Sequence, residues 1–215
     1  MPDFEWEDKC RGIVCGIDEA GRGPWAGPVV AGAVIIKDRN LHPDLLSGLD
    51  DSKKLSAKKR EKLYNLLFEE EKNGKVEIGI GEASCAEIDE YNILNATFMA
   101  MERARAGLKT PPELAFVDGN QKPRRFNCAA QTVVKGDAKS YSISAASIVA
   151  KVYRDRLMAE LAQKYPYYGF EKNAGYGTAA HIAGLKQYGV TSQHRKSYKP
   201  IQAFMTEKGS ADIDD

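Results

Sequence analysis

Ile13-Val14-Cys15-Gly16-Ile17-Asp18-Glu19-Ala20-Gly21-Arg22-Gly23 is an apolar run that delivers two carboxylates at its end and then turns through glycines. The β-branched residues at its start favour a buried strand. Two unpaired acids at the end of such a strand do not belong in a core, because a carboxylate loses its hydration on burial. Neighbouring strand side chains point to opposite faces. Asp18 and Glu19 therefore share one site only if the chain leaves extended geometry directly after Asp18, which the glycines permit. By itself, the segment also fits an exposed acidic turn.

The same device occurs a second time. Leu114-Ala115-Phe116-Val117-Asp118-Gly119-Asn120 is again an apolar strand ending in aspartate and glycine, and Asp137 follows the strand-like Gln131 to Lys135. Each acid also fits a turn or a helix cap, Asp137 most readily. Together, Asp18, Glu19, Asp118 and Asp137 form a set of hard oxygen ligands of the kind that holds Mg²⁺ or Mn²⁺ and suits neither zinc nor copper. Clustered carboxylates raise one another's pKa and repel unless a cation lies between them. Two divalent ions there would orient a water and stabilise an in-line displacement at phosphorus, which is phosphodiester hydrolysis without a covalent intermediate. Gly21-Arg22-Gly23-Pro24 places bare backbone and an arginine beside the first two acids. A GxG alone is a weak signal, and nothing here follows the dinucleotide-binding pattern.

The rest of the chain fits one α/β domain. At 215 residues with 43% apolar content it is long enough to bury a sizeable core. Strands are expected at Ile13 to Ile17, Val29 to Ile36, Val76 to Ile80, Leu114 to Val117 and Thr132 to Val134. Helices are expected from Ser56, as a cap, to Lys72, from Asn92 to Gly107, from about Ser142 to Tyr165 ahead of Pro166, and from Thr178 to Tyr188. Strands interleaved with helices, then helices alone, point to a mixed sheet with helices on its faces. The tail at 206–215 is short, acidic and polar, and is expected to be disordered. Cys10, Cys15, Cys85 and Cys128 lack metal-ligand spacing and are read as reduced thiols of a cytoplasmic protein. No apolar run approaches a membrane span, and the acidic N-terminus is not a signal peptide. A net charge of +1 leaves any nucleic-acid footprint to local clusters: Lys53-Lys54, Lys58 to Arg60, Lys122 to Arg125 and Arg195 to Lys199.

The ordered series Asp18-Glu19-Ala20-Gly21-Arg22-Gly23-Pro24, Asp51-Ser52-Lys53-Lys54-Leu55, Val117-Asp118-Gly119, Lys135-Gly136-Asp137, Ser144 to Val152, Gly175-Tyr176-Gly177-Thr178 and His194-Arg195-Lys196-Ser197 closely resembles the type 2 ribonucleases H of bacteria. The match runs from about Gly12 to Pro200. It implies an RNase H-like fold over residues 1–200, with a mixed sheet of about five strands flanked by helices. A helical C-terminal extension that grips substrate completes it. The resemblance makes Asp18, Glu19, Asp118 and Asp137 the catalytic ligands of two Mg²⁺ or Mn²⁺ ions. It also assigns Gly21, Arg22 and Gly23 to a backbone contact with a ribonucleotide's 2′-hydroxyl, the group that tells RNA from DNA. Tyr176 would stack on the adjoining deoxyribose, and Lys53 and Lys54 would contact phosphate. The implied substrates are RNA/DNA hybrids and ribonucleotide-containing duplex DNA, cut by a monomer in ribonucleotide removal and primer processing.

Other residues are more open. Asp155 reads as part of an ordinary helical charge pair, Ser144 and Ser147 as packing, and Tyr165, Tyr167 and Tyr168 as packing around Pro166. His194 with Arg195 fits phosphate contact and C-terminal anchoring equally. Trp25 stands where the family has a smaller aliphatic, which leaves the packing of the glycine loop in doubt. Gln202 to Met205 shows no clear sliding-clamp motif. Two other readings are a related nuclease that cuts DNA with the same acids and a non-catalytic hybrid-binding module. A 2′-hydroxyl sensor speaks against the first, and the retained acids, which would repel phosphate without metal, speak against the second.

Overall fold

The structure is a computed structural model and describes residues 2–50, 52, 54–123 and 126–207. Its five-stranded sheet has the order β3-β2-β1-β4-β5. The strands are β1 (Val14–Ala20), β2 (Val29–Ile36), β3 (Val76–Ala83), β4 (Leu114–Asp118) and β5 (Ala129–Val133). β1 is antiparallel to β2 and parallel to β4, and β4 is parallel to β5. This register matters for the acids. Ile17 lies beside Val117, so Asp18 and Asp118 follow in step at the same end of two parallel neighbours.

Around the sheet come α1 (Glu5–Asp8), α2 (Pro43–Gly48), α3 (Ala57–Lys72), α4 (Cys85–Ala106) and α5 (Tyr141–Lys164). They are followed by α6 (Phe170–Asn173), α7 (Ala179–Tyr188) and α8 (Lys199–Glu207). The expected mixed sheet with flanking helices is the observed one. Ser56 caps α3 by accepting from Lys59 N, and Thr178 caps α7 by accepting from His181 N. Asn92 marks a kink in α4 at φ +66°, and its Oδ1 accepts from Leu94 N and Asn95 N. The helix expected from Asn92 is therefore the second half of a longer element. Its first half, from Cys85, shows no clear apolar period in the sequence.

Three further expectations change. β5 begins at Ala129 and ends at Val133, because pairing with β4 sets its limits, and Val134 is left exposed. α8 was not anticipated, and it carries Thr206 and Glu207 into what read as a disordered tail. Residues 208–215 lie outside those described. Last, β1 does not end at Asp18: it stays paired with β2 as far as Ala20, opposite Val30.

Contacts divide the chain into two compact units. One, residues 1–20, 30–82 and 98–152, holds the sheet. Its α5 lies close against β1: a Cβ at Gly16 would come within 2.1 Å of the Ser142 carbonyl carbon. The start of α5 is held by Glu7 of α1, whose Oε1 accepts from Ser140 Oγ, Ser142 N and Ser142 Oγ at 2.6, 3.0 and 2.6 Å. A carboxylate there also suits the positive end of the helix. The other unit, residues 21–29, 83–97 and 153–215, packs around Ala26, Met158, Tyr168, Phe170, Leu185 and Ile201. Among the described residues no helix is long and apolar enough to cross a membrane, and all four cysteines are free.

Candidate active site

Asp18, Asp118 and Asp137 each turn one carboxylate oxygen into a common space, and these oxygens lie within 4.8 Å of one another. The parallel pairing of β1 with β4 supplies the first two. The third comes from a tight turn: Asp118 Oδ1 accepts from Gly136 N at 2.6 Å, which draws the segment after β5 toward β4. Lys135 adopts a left-handed conformation to make that turn, and Asp137 follows in a short 3₁₀ turn, Gly136–Ala138. Asp18 and Asp137 are each only 8% exposed. Burial first, then the charges of Glu19, Asp118 and Asp137, hold the Asp18 carboxyl well above its ordinary range. The hydrogen bond from Glu19 N to Asp18 Oδ1, at 2.7 Å, opposes them. Glu19 is not among the clustered oxygens. β1 remains paired through Ala20, and the Glu19 charge is the strongest of those acting on Asp18. Three hard-oxygen donors at this spacing, two buried and that of Asp118 half-buried, fit a divalent ion, which would also relieve their repulsion.

In the second unit the Gly21-Arg22-Gly23 loop is held by Arg195, and Arg154 lies close against Gly21 and bonds the segment that follows the loop. Arg195 is 0% exposed. It donates from Nη1 to Arg22 O at 2.9 Å, from Nη2 to Gly21 O, and from Nε and Nη2 to Gly27 O at 3.1 and 2.9 Å. Arg154 donates to Pro28 O at 2.9 Å, Ala174 O at 3.0 Å and Ala26 O at 3.2 Å. Burial, and next the charge of Arg195, bring the Arg154 guanidinium down to about 10. Gly21 has φ +98°, and a Cβ there would strike Arg154 Nε at 2.0 Å, so this position tolerates only glycine. Tyr176 stands against the loop, with Cε1 3.3 Å from where a Gly23 Cβ would lie, and is 52% exposed.

The family model for ribonuclease HII matches residues 15–201. The chain belongs to the ribonuclease HII family. Members of this family are metal-dependent endoribonucleases that degrade the RNA of RNA/DNA hybrids. The ribonuclease HII of Rhodospirillum rubrum is 56% identical over 202 residues, covering 94% of this chain and 91% of its own length. Among solved structures, ribonuclease H2 of Pyrococcus horikoshii superimposes with a TM-score of 0.73 at 29% identity, over 91% of this chain and 98% of that one. A Bst-RNase HIII solved in complex with Mn²⁺ shares the fold at a TM-score of 0.68 and 16% identity, over 91% and 70% of the two chains.

Lys54 is exposed and paired with Asp50 at 3.4 Å, while Lys53, Arg124 and Arg125 lie outside the described residues. Ser144 Oγ donates to Asp50 O and Ser147 Oγ to Ser144 O, which are packing roles. Asp155 is half-buried. Trp25 is accommodated because residue 177 is glycine: a Cβ there would sit 2.2 Å from the indole. Tyr168 is buried and donates to Gly189 O, whereas Tyr167 stacks on Tyr188 at the surface.

His194 is 0% exposed and belongs to a buried chain of hydrogen bonds, so it anchors its segment and does not reach phosphate from this position. Thr191 N donates to His194 Nδ1 at 3.0 Å, which leaves the proton of the neutral ring on Nε2. That proton goes to His181 Nε2, 3.0 Å away, and His181 Nδ1–H in turn donates to Tyr176 O at 3.0 Å. Burial, then the charge of His181, lowers the His194 imidazole to about 3. Burial lowers His181 as well. Sequence reasoning missed His181 and the structural part played by Arg154. Neither carries a local signal, since Arg154 sits in an ordinary charged helical run and His181 lies far along the chain from the residues it supports.

Proposed function

We propose that this member of the ribonuclease HII family cuts on the 5′ side of single ribonucleotides in duplex DNA as well as within RNA/DNA hybrids, leaving 5′-phosphate and 3′-hydroxyl ends. The observation that carries this reading is the trio of aspartate oxygens within 4.8 Å, with the Gly21-Arg22-Gly23 loop close behind Asp18 in the chain. Asp18, Glu19, Asp118 and Asp137 are the proposed ligands of two Mg²⁺ or Mn²⁺ ions, which when bound supply an activated water and neutralise charge at phosphorus. Asp18, Asp118 and Asp137 contribute a preformed set of oxygens held by strand register and by the Gly136 N hydrogen bond, so little reorganisation is needed at the moment of reaction. Glu19, whose charge already acts on Asp18, would complete the set. Backbone groups of Gly21, Arg22 and Gly23 test for the 2′-hydroxyl without reading the base, Tyr176 offers an exposed ring to the following sugar, and Lys53 and Lys54 attract phosphate. The enzyme would act as a monomer in the cytoplasm, in ribonucleotide removal and primer processing.

An end-labelled DNA duplex carrying one ribonucleotide, beside an all-DNA duplex, tests the reading in Mg²⁺, in Mn²⁺ and in EDTA. Metal-dependent cutting 5′ of the ribonucleotide with the control intact is the expected result. Equal cutting of both duplexes would replace it with a DNA nuclease, and binding without cutting with a non-catalytic module. Tyr176→Ala is expected to lower kcat/KM on the single-ribonucleotide duplex about tenfold, the scale of one stacking contact. The melting temperature should stay nearly unchanged, because the ring is half exposed. An equal loss on a long hybrid would contradict a junction-reading role.

A further inference from the structure

The Gly21-Arg22-Gly23 loop is shaped by residues more than a hundred positions away. Arg195 sends all its N–H groups into backbone carbonyls and one hydroxyl: Gly21 O, Arg22 O, Gly27 O, Pro28 O and Tyr198 Oη. Tyr198 then donates its own proton to Arg22 O at 2.9 Å, so this one carbonyl receives both a guanidinium and a phenol. Arg154 extends the frame by joining Ala26 O and Pro28 O to Ala174 O, two residues before Tyr176. Trp25 N and Ala26 N both donate to Gly175 O. The segment 195–198 is itself pinned by Asp89, which accepts from Lys196 N, Ser197 N and Ser197 Oγ.

The direction of these bonds has a stereochemical consequence. Consecutive carbonyls of an extended chain point to opposite sides, yet those of Gly21 and Arg22 both point at one buried guanidinium. The positive φ of Gly21 makes that possible. Among the described residues every peptide bond is trans, and in a trans peptide the N–H lies opposite the preceding C=O. Drawing in the carbonyls of Gly21 and Arg22 therefore turns the N–H groups of Arg22 and Gly23 away from Arg195, toward the side on which both residues are exposed. Adjacent outward N–H groups form the concave donor arrangement that backbone uses to bind anions and lone pairs.

We propose that Arg195, with Tyr198, is the positioning element of the ribonucleotide-sensing loop: it consumes the loop's acceptors so that the loop meets its ligand with N–H donors. This rests on the proposed reading of the loop. The loop accordingly treats the ribonucleotide oxygen as an acceptor, and neither Arg195 nor Tyr198 touches the nucleic acid. A lysine cannot replace Arg195, since a point ammonium lacks the planar fork that spans several carbonyls at once.

The test uses the full chain in EDTA and measures the ratio of Kd for an all-DNA duplex to Kd for the same duplex with one ribonucleotide. Tyr198→Phe, which removes one donor to Arg22 O and leaves Arg195 in place, is expected to lower the ratio about fivefold, the scale of one hydrogen bond. Arg195→Lys is expected to erase it. Binding to the all-DNA duplex should stay within about twofold of the parent in Tyr198→Phe. If Arg195→Lys does not fold, Tyr198→Phe decides alone. A parent that discriminates while Tyr198→Phe keeps the full ratio, or weakens both duplexes alike, overturns the positioning role and leaves the proposed function standing. A parent with no preference for the ribonucleotide overturns the reading of the loop, and the positioning role with it.

Discussion

Asp18→Asn, at a proposed metal ligand, is expected to abolish cleavage, by about 10³-fold or more, and yet to leave the metal-free protein more stable than the parent. The first effect follows from the loss of a charged ligand at the centre of the acidic trio, where several kcal/mol of transition-state stabilisation depend on a correctly held cation. The second follows from the same geometry without the ion. Asp18 is buried beside Asp118, Asp137 and Glu19, and each neighbour's charge adds to the burial that disfavours its ionised form. An amide of nearly the same shape removes one negative charge from that group. It keeps an oxygen to accept from Glu19 N. For a chain of this size each kcal/mol of relieved repulsion raises the melting temperature by roughly 2–4 °C. Adding Mg²⁺ should reverse the order, because an ion that binds only the folded state stabilises the parent in proportion to its occupancy and has no complete site in the variant. Thermal scans of both proteins in EDTA and in millimolar Mg²⁺, with duplex binding measured alongside, read all three effects. A variant less stable than the parent in EDTA would mean that the trio is not under electrostatic strain, and equal loss of binding and cleavage would remove Asp18 from the chemistry.

Acid weakens the protein through His194 before it reaches the ordinary carboxylate range. The imidazole has an ordinary value of 6.5 and lies at about 3 in the fold, because it is buried and faces His181. Above pH 6.5 neither the folded nor the unfolded state carries the proton, and the full stability is present. As pH falls below 6.5 the unfolded chain takes up the proton and the folded chain does not, so stability is lost progressively until the folded group titrates near 3. At about 1.4 kcal/mol for each pH unit in that window, the loss between pH 7 and pH 4 is about 3 kcal/mol from this residue. His194→Asn keeps an acceptor for Thr191 N and cannot take up the proton, so its stability should fall less steeply over the same range, even though it starts lower at pH 7. Urea unfolding at several pH values measures the difference, and parallel curves would show that the pair is not held neutral. Because His181 donates to Tyr176 O, the variant should also loosen Tyr176, visible as a weaker preference for the ribonucleotide-containing duplex.

Much was legible in residue order. Apolar runs with β-branched residues locate four strands and only the last residues of β5, and local chemistry marks the capped helices: Ser56 before α3, Thr178 before α7, Gly189 after it. Strand-end acids beside glycines single out Asp18, Asp118 and Asp137, although each by itself also fits a turn or a helix cap. These signals survive in the sequence because they are local, each depending on neighbours within a few positions.

What tertiary structure alone decided is which groups meet. The parallel register of β1 with β4 brings Asp18 and Asp118 level, and the Gly136 N bond to Asp118 carries Asp137 in to join them. The same pairing keeps β1 in the sheet through Ala20, and Glu19, outside the group of three clustered oxygens, still exerts the largest charge effect on Asp18. Of the buried groups behind the Gly21-Arg22-Gly23 loop, His194 and Arg195 stood out only as a motif with an open role, and His181 and Arg154 left no local signal. Arg195 and its acceptors at 21, 22 and 27 are separated by more than 160 residues, and hydrogen-bond complementarity over such a span has no local period or composition by which it might be read.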